Sequence, residues 1–318
     1  MRKYFLILTL FSILFSCKSN KENQIDVSAI EVNFFVDRFD IDFYTTKEES
    51  LFKTKEKYPL FFPKSTPDSV WVQKINDKDE QELFLEAQKV YANIDFLITD
   101  LEQLFKHIKY YNPEFKTPKV VTLLSNIDYL NKVIYTKEYL LISLDVYLGG
   151  NHPFYAEFPN YIKQNFNKNH IIIDVAKAMI SKPSSVGDRT FIGKMIAEGK
   201  KLYALDKYLP ASNDYEKMGY SEKKYNWAIE NEEQVWKYFI ENKVLFSTDT
   251  ELNKRFLDLA PFSKFYRSED ALSPGKIGVW IGWQIVKSYM KHNDVSLQQL
   301  LKTPSEEVYK NSKYKPKK

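Results

Sequence analysis

The chain is short of the residues from which many catalytic and metal centres are built. Its 318 residues hold one cysteine, four histidines and nine glycines. A lone cysteine, Cys17, excludes an intramolecular disulfide. The histidines are His107, His152, His170 and His292, and no two stand four apart. A helix presenting two imidazoles to one zinc ion is therefore excluded. No Gly-x-Ser-x-Gly nucleophile elbow occurs. Gly187 and Gly193-Lys194 imitate a phosphate loop, but five residues separate the glycines where the motif has four. Met195 also replaces the hydroxyl that would bind magnesium. There is no Gly/Pro/Ser-rich linker between residues 30 and 305, and no internal repeat.

What is present begins at the N-terminus. Arg2 and Lys3 precede a 12-residue apolar run, Tyr4 to Phe15, too short to span a bilayer comfortably but right for a signal-peptide core. It ends in "LFSC", Leu14 to Cys17, which has the pattern of a lipobox. The expectation is cleavage after Ser16 and lipidation of Cys17, with several acyl chains each gaining about 0.8 kcal/mol per buried methylene. The polar stretch after it reads as a flexible tether, and Lys18 and Lys21 around Glu22 favour a protein facing the periplasm.

Charge of one sign is also lacking. Removing Arg2 and Lys3 with the signal leaves 44 basic against 42 acidic residues, and five of those lysines lie in the last nine positions. Without them the body counts 39 against 42, which gives no case for a nucleic-acid groove. The expected organisation is a signal peptide over 1–16 and a lipidated tether over 17–28. One α+β domain follows over 29–305, then a basic disordered tail over 306–318.

The residues from Ala29 to Tyr44 alternate as a strand does. Pro59, Pro63 and Pro67 enforce an irregular stretch. Asp77 and Glu80 form a candidate capping box for one long helix whose apolar stripe runs from Leu83 to Ile108, stopped by Pro113. His107 near its end reads as facing the helix dipole or solvent. Lys119 to Ser125 and Tyr139 to Gly149 are β-rich, and after Gly149-Gly150 helices dominate, over 191–209, 220–243 and 276–292. A small N-terminal sheet with a mainly helical C-terminal half is an α+β fold. Gly278 and Gly282 share one helix face and would admit a neighbouring backbone, while Trp280 and Trp283 read as core.

"NHIIIDVAKAMISK", Asn169 to Lys182, holds the one metal-like pattern. His170 and Asp174 are one turn apart, and Glu198 in "AEGKKLYALD" could add a third ligand. No acid follows His170, so the general base of a zinc peptidase is missing. A helical histidine satisfied by hydrogen bonds is the plainer expectation, with no catalytic residue and no cofactor. Sheet, would-be active-site helix, Glu-Gly helix and Pro-Gly…Gly-aromatic-x-x-Gly segment resemble, in that order, a degenerate gluzincin-like zinc-peptidase domain. His170, Asp174 and Glu198 would then be vestigial metal-site positions.

A closer resemblance runs the whole length. The lipobox, "RFDIDFY", "FPNYIKQNF", "DVAKAMI", "AEGKKLYALD" and "PGKIGVWIGWQIVKSYM" together resemble the GldB family of gliding-motility lipoproteins of the Bacteroidetes. The resemblance implies a non-enzymatic, lipid-anchored envelope component of gliding, linked to type IX secretion and acting through other envelope proteins of that apparatus. It implies neither nucleic acid nor a small-molecule substrate as partner, and a periplasmic face, with the outer membrane favoured over the inner. The alternative is a lipid-anchored zinc metallohydrolase using His170, Asp174 and Glu198.

Overall fold

The computed structural model describes residues 25–180 and 188–317. The expected signal peptide, Cys17, the expected tether up to residue 24, Gly187, and Ser181 and Lys182 lie outside the described residues. Strands β1 (Val36–Arg38), β2 (Lys119–Leu123), β3 (Val133–Tyr135) and β4 (Tyr139–Ser143) form one sheet in the order β1-β2-β4-β3. β1, β2 and β4 run parallel, and β3 pairs antiparallel with β4. The parallel step from β1 to β2 needs a long crossover. Five helices supply it: α1 (Phe39–Tyr44), α2 (Leu51–Lys57), α3 (Asp68–Asn76), α4 (Lys78–Tyr91) and α5 (Asp95–Tyr111).

Alternation along the strands divides the interior. Val120, Leu140 and Ile142 face the main core, whereas Val121 faces a smaller cluster of Phe43, Tyr44, Leu51, Tyr58 and Phe62. After β4 come α6 (Asn160–Lys163), α7 (Lys168–Met179), α8 (Phe191–Tyr208), α9 (Asp214–Met218) and α10 (Glu222–Glu230). Then follow α11 (Glu232–Glu241), α12 (Glu251–Phe256), α13 (Ile277–His292), α14 (Leu297–Lys302) and α15 (Ser305–Asn311). The α+β class is as the sequence predicts.

Several local expectations are corrected. The strand expected over 29–44 is reduced to three residues because the chain turns into α1 at Phe39. Buried Asp40 draws that turn inward. It takes hydrogen bonds from Arg38 Nε (3.0 Å) and Nη2 (2.7 Å), Thr122 Oγ1 (2.5 Å) and Gln88 Nε2 (3.2 Å). The single helix expected from Asp77 breaks at Ala92–Ile94, where Asn93 Oδ1 accepts from the Asp95 N–H at 2.7 Å just before α5 begins. The apolar stripe stays in phase across the break, so periodicity conceals it. Asp77 does cap α4, but the Glu80 side chain goes to Tyr44, Lys74 and Asn126 rather than closing a box. His107 is not solvated. It is buried, with Nδ1 2.8 Å from the Gln103 carbonyl. The helix expected over 220–243 is two, split at Asn231.

The ends are also more ordered than predicted. Val27, inside the expected tether, is buried. The tail expected to be disordered from 306 continues α15, with Val308 and Ser312 buried. Ser288 Oγ donates to the Ser312 carbonyl at 2.7 Å, and Tyr314 stacks edge-on against Trp236 at 5.1 Å. Tyr314 Oη donates to Glu232 Oε1 at 2.8 Å.

α8 and α13 cross at backbone contact. A Cβ on Gly282 would overlap the Met195 carbonyl, and one on Gly199 would overlap the Gly282 backbone. Gly278 lies against the Phe256 carbonyl, where a Cβ would come within 2.9 Å. Trp280 and Trp283 flank this seam and are buried. In a free helix Gly→Ala is worth up to about 1 kcal/mol of stabilisation; here the helices must separate instead. Gly282→Ala is expected to cost about 3 kcal/mol or more, read from the urea midpoint, given the upper range for overpacked cores. An unchanged or raised midpoint would mean the crossing is looser than described.

A histidine–carboxylate pair held by lysines

α7 is apolar on nearly every side. Ile171, Ile173, Val175, Ala176 and Met179 are buried, and the helix packs against β3, α5 and α8. His170, Asp174 and Lys177 follow at spacings of four and three, and so share one face. His170 Nε2 lies 3.6 Å from Asp174 Oδ1, and no side-chain hydrogen bond joins the imidazole to another described residue. The hydrogen-bonded histidine expected from sequence is thus corrected to a buried imidazole beside the Asp174 carboxylate.

Asp174 is the centre of the group. Its Oδ2 receives Lys132 Nζ at 2.6 Å and the Tyr147 hydroxyl at 3.0 Å. Lys132 comes from the loop before β3 and also lies over the Tyr147 ring at 5.6 Å. Lys276, the left-handed residue before α13, donates to the Met218 carbonyl at 2.9 Å. Its interaction with Asp174 and Glu198 links it electrostatically to the same group. Glu198 itself pairs with Lys201 at 2.6 Å, and both side chains are about two-fifths exposed. The structure therefore keeps His170 and Asp174 together and directs Glu198 elsewhere. Among the described residues, no group of three or more His, Cys, Asp or Glu is arranged to hold a metal ion.

Electrostatics follow from burial and these neighbours. Burial drives the His170 pKa down to about 3, aided by Lys177, Lys132 and Lys276 and opposed by Asp174. Burial works to raise the Asp174 pKa, but His170, Lys132 and Lys177 outweigh it and hold the carboxyl at about 2. With the imidazole neutral near pH 7, the lysines are the cations that keep this carboxylate ionised. Burial and Lys177 push Lys276 down to about 7, and burial also lowers Lys177.

Sequence reasoning missed Lys132, Tyr147, Lys177 and Lys276. Lys177 was legible from its helical spacing to Asp174. Lys132 and Tyr147 arrive by long-range packing, which no local pattern announces.

Both depressed values have the same linkage sign. The unfolded chain binds the His170 proton near pH 6.5 and the Asp174 proton near 3.8, whereas the folded chain resists both until about 3 and about 2. The contribution of these two groups is complete above 6.5 and falls as pH drops toward about 2. His170→Gln is expected to flatten the fall between pH 6 and 4 by up to about 1.4 kcal/mol per pH unit. Urea denaturation across that range reads it, and parallel curves for the two chains would contradict the assignment.

The model of the family described as "Gliding motility protein GldB" matches residues 20–316. No curated protein matches, and no solved structure matches. The likeness to a gluzincin-type peptidase thus gains no support. The residues that carry the resemblance have structural duties: Arg38 and Asp40 join β1 to β2 and α4, Gly199 and Gly282 form the helix crossing, and Asp174 gathers the lysines. By its match over nearly the whole length, the chain belongs to the GldB family of gliding-motility proteins.

Proposed function

We propose that the protein serves gliding as a lipid-anchored, non-enzymatic component of the cell envelope, linked to type IX secretion and acting by binding other envelope proteins of that apparatus. One observation supports the non-enzymatic part above others: Lys132 Nζ sits 2.6 Å from Asp174 Oδ2, so an ammonium already pairs with the carboxylate that a divalent cation would have to share with His170. With Lys177 and Lys276 nearby, a further cation meets repulsion rather than an open coordination site. The missing third ligand also weighs against the metallohydrolase reading.

Support for the anchor is the lipobox at Leu14 to Cys17. No helix among the described residues is long and apolar enough to cross a membrane. The periplasmic face rests on Lys18 and Lys21 beside the candidate lipidation site. A binding role is compatible with large apolar side chains exposed between α11 and α13, among them Phe246, Tyr266 and Leu272.

A photocrosslinker at Phe246 or Tyr266 in gliding cells tests the proposal. The expected outcome is a covalent adduct with another envelope protein, in a chain that takes up labelled fatty acid. Cys17→Ser is expected to lose both label and adduct. Labelling that persists in Cys17→Ser would refute the anchor, and absence of any adduct in cells that glide normally would refute the binding role at these positions.

A further inference from the structure

A groove of about 1950 Å³ opens between the ends of α8 and α13 and the C-terminal segment. Seven lysines line it against three carboxylates: 207, 217, 287, 291, 313, 315 and 317 against Asp206, Asp214 and Glu232, a difference of four positive charges. The carboxylates are already engaged. Lys217 Nζ is 2.9 Å from Asp206, Lys287 Nζ is 3.0 Å from Asp214, and Glu232 accepts from Tyr314. Lys207, Lys291, Lys313 and Lys315 form no ion pair with a carboxylate among the described residues, and Lys291, Lys313 and Lys315 are exposed. This concentration contrasts with the slight acidic excess of the rest of the body.

The position of the N-terminus gives the groove its context. Ile25, the first described residue, lines the same groove as Lys315 and Lys317, so both ends of the described chain lie on this face. Eight residue steps lead from Cys17 to Ile25, with seven residues between them, and at full extension they reach at most about 29 Å. A lipid on Cys17 would therefore keep this face, rather than the far side of the molecule, near the bilayer. Docking of α15 and Tyr314 matters here, because it holds the terminal lysines on the folded body instead of leaving them on a loose tail.

We propose that this groove is a membrane-facing site for the phosphate headgroups of an anionic phospholipid surface, orienting the body on the bilayer. The orientation rests on the lipid-anchor reading above, but the surface chemistry does not. Each lysine near an anionic membrane contributes about fivefold to partitioning, screened by salt over a Debye length.

The test uses the mature chain from residue 17 carrying Cys17→Ser, so that no acyl chain takes part, and sedimentation with phosphatidylcholine vesicles with or without phosphatidylglycerol. Binding is expected only with phosphatidylglycerol, falling steeply with salt. The triple charge reversal K313E/K315E/K317E is expected to weaken it by about a hundredfold or more. Because its alterations lie on exposed side chains, its fold can be verified by circular dichroism. Reversal of Lys237, Lys254 and Lys310, exposed lysines outside the groove, should leave binding within a few-fold. Equal binding to neutral vesicles, equal loss from both triple variants, or concentration-dependent self-association in place of vesicle binding would overturn the proposal. Loss of fatty-acid labelling on the native chain is a separate measurement, so the anchor and the groove can fail independently.

Discussion

The backbone contact of α8 with α13 is the constraint on which the C-terminal half depends. Gly199 and Gly282 remove the side chains that would hold the two helices apart, and α13 lies directly on the Met195 carbonyl. That closeness fixes everything the two helices carry. At one end of α13, Lys276 donates to the Met218 carbonyl within the electrostatic influence of Asp174. Further along, Trp283 Nε1 donates to Asp206 on α8 at 2.9 Å, and Lys287 covers the Trp283 ring at 3.6 Å. α15 then packs on both helices and brings the C-terminal segment with it.

Charge is organised around this frame in two different ways. Around Asp174 the carboxylate is enclosed, and lysines, a tyrosine and a neutral imidazole surround it. Such an arrangement is costly to form, and its removal of one partner leaves a buried charge unpaired. Its value here is geometric: it ties α7 to the loop before β3 and to the turn that follows β4. In the groove between α8, α13 and the C-terminal segment, by contrast, several ammonium groups stay open to solvent and carry no internal duty. Cations of the first kind hold the fold, while those of the second kind remain free for an external anion.

How much of this was legible depends on the range of the interaction. Helices α7, α8 and α13 follow from apolar periodicity, and the close backbone approach at Gly278 and Gly282 follows from their spacing, whereas Gly199, which completes the crossing of α8 with α13, carried no such signal. β2 and the start of β4 follow from β-branched and aliphatic runs. β3 was missed because three residues carry little pattern, and the breaks at Asn93 and Asn231 were missed because the apolar phase runs through them. In the candidate site, the pairing of His170 with Asp174 was readable from their spacing. The identity of what balances Asp174 was not, since Lys132 and Tyr147 lie 42 and 27 residues away in sequence. The ordered C-terminus was likewise hidden: a lysine-rich composition predicts solvation, and only packing of Val308, Tyr309 and Tyr314 reverses it.

A histidine and a carboxylate one turn apart are thus insufficient to specify a metal centre when lysines occupy the surrounding space. In the proposed reading this pair shapes the fold and performs no metal chemistry. The most direct measurement combines zinc content of the purified protein with gliding of cells that express His170→Gln at normal abundance. Zinc well below one equivalent together with retained gliding is the predicted result. One equivalent of zinc in the native chain, lost along with gliding in His170→Gln at unchanged abundance, would contradict it.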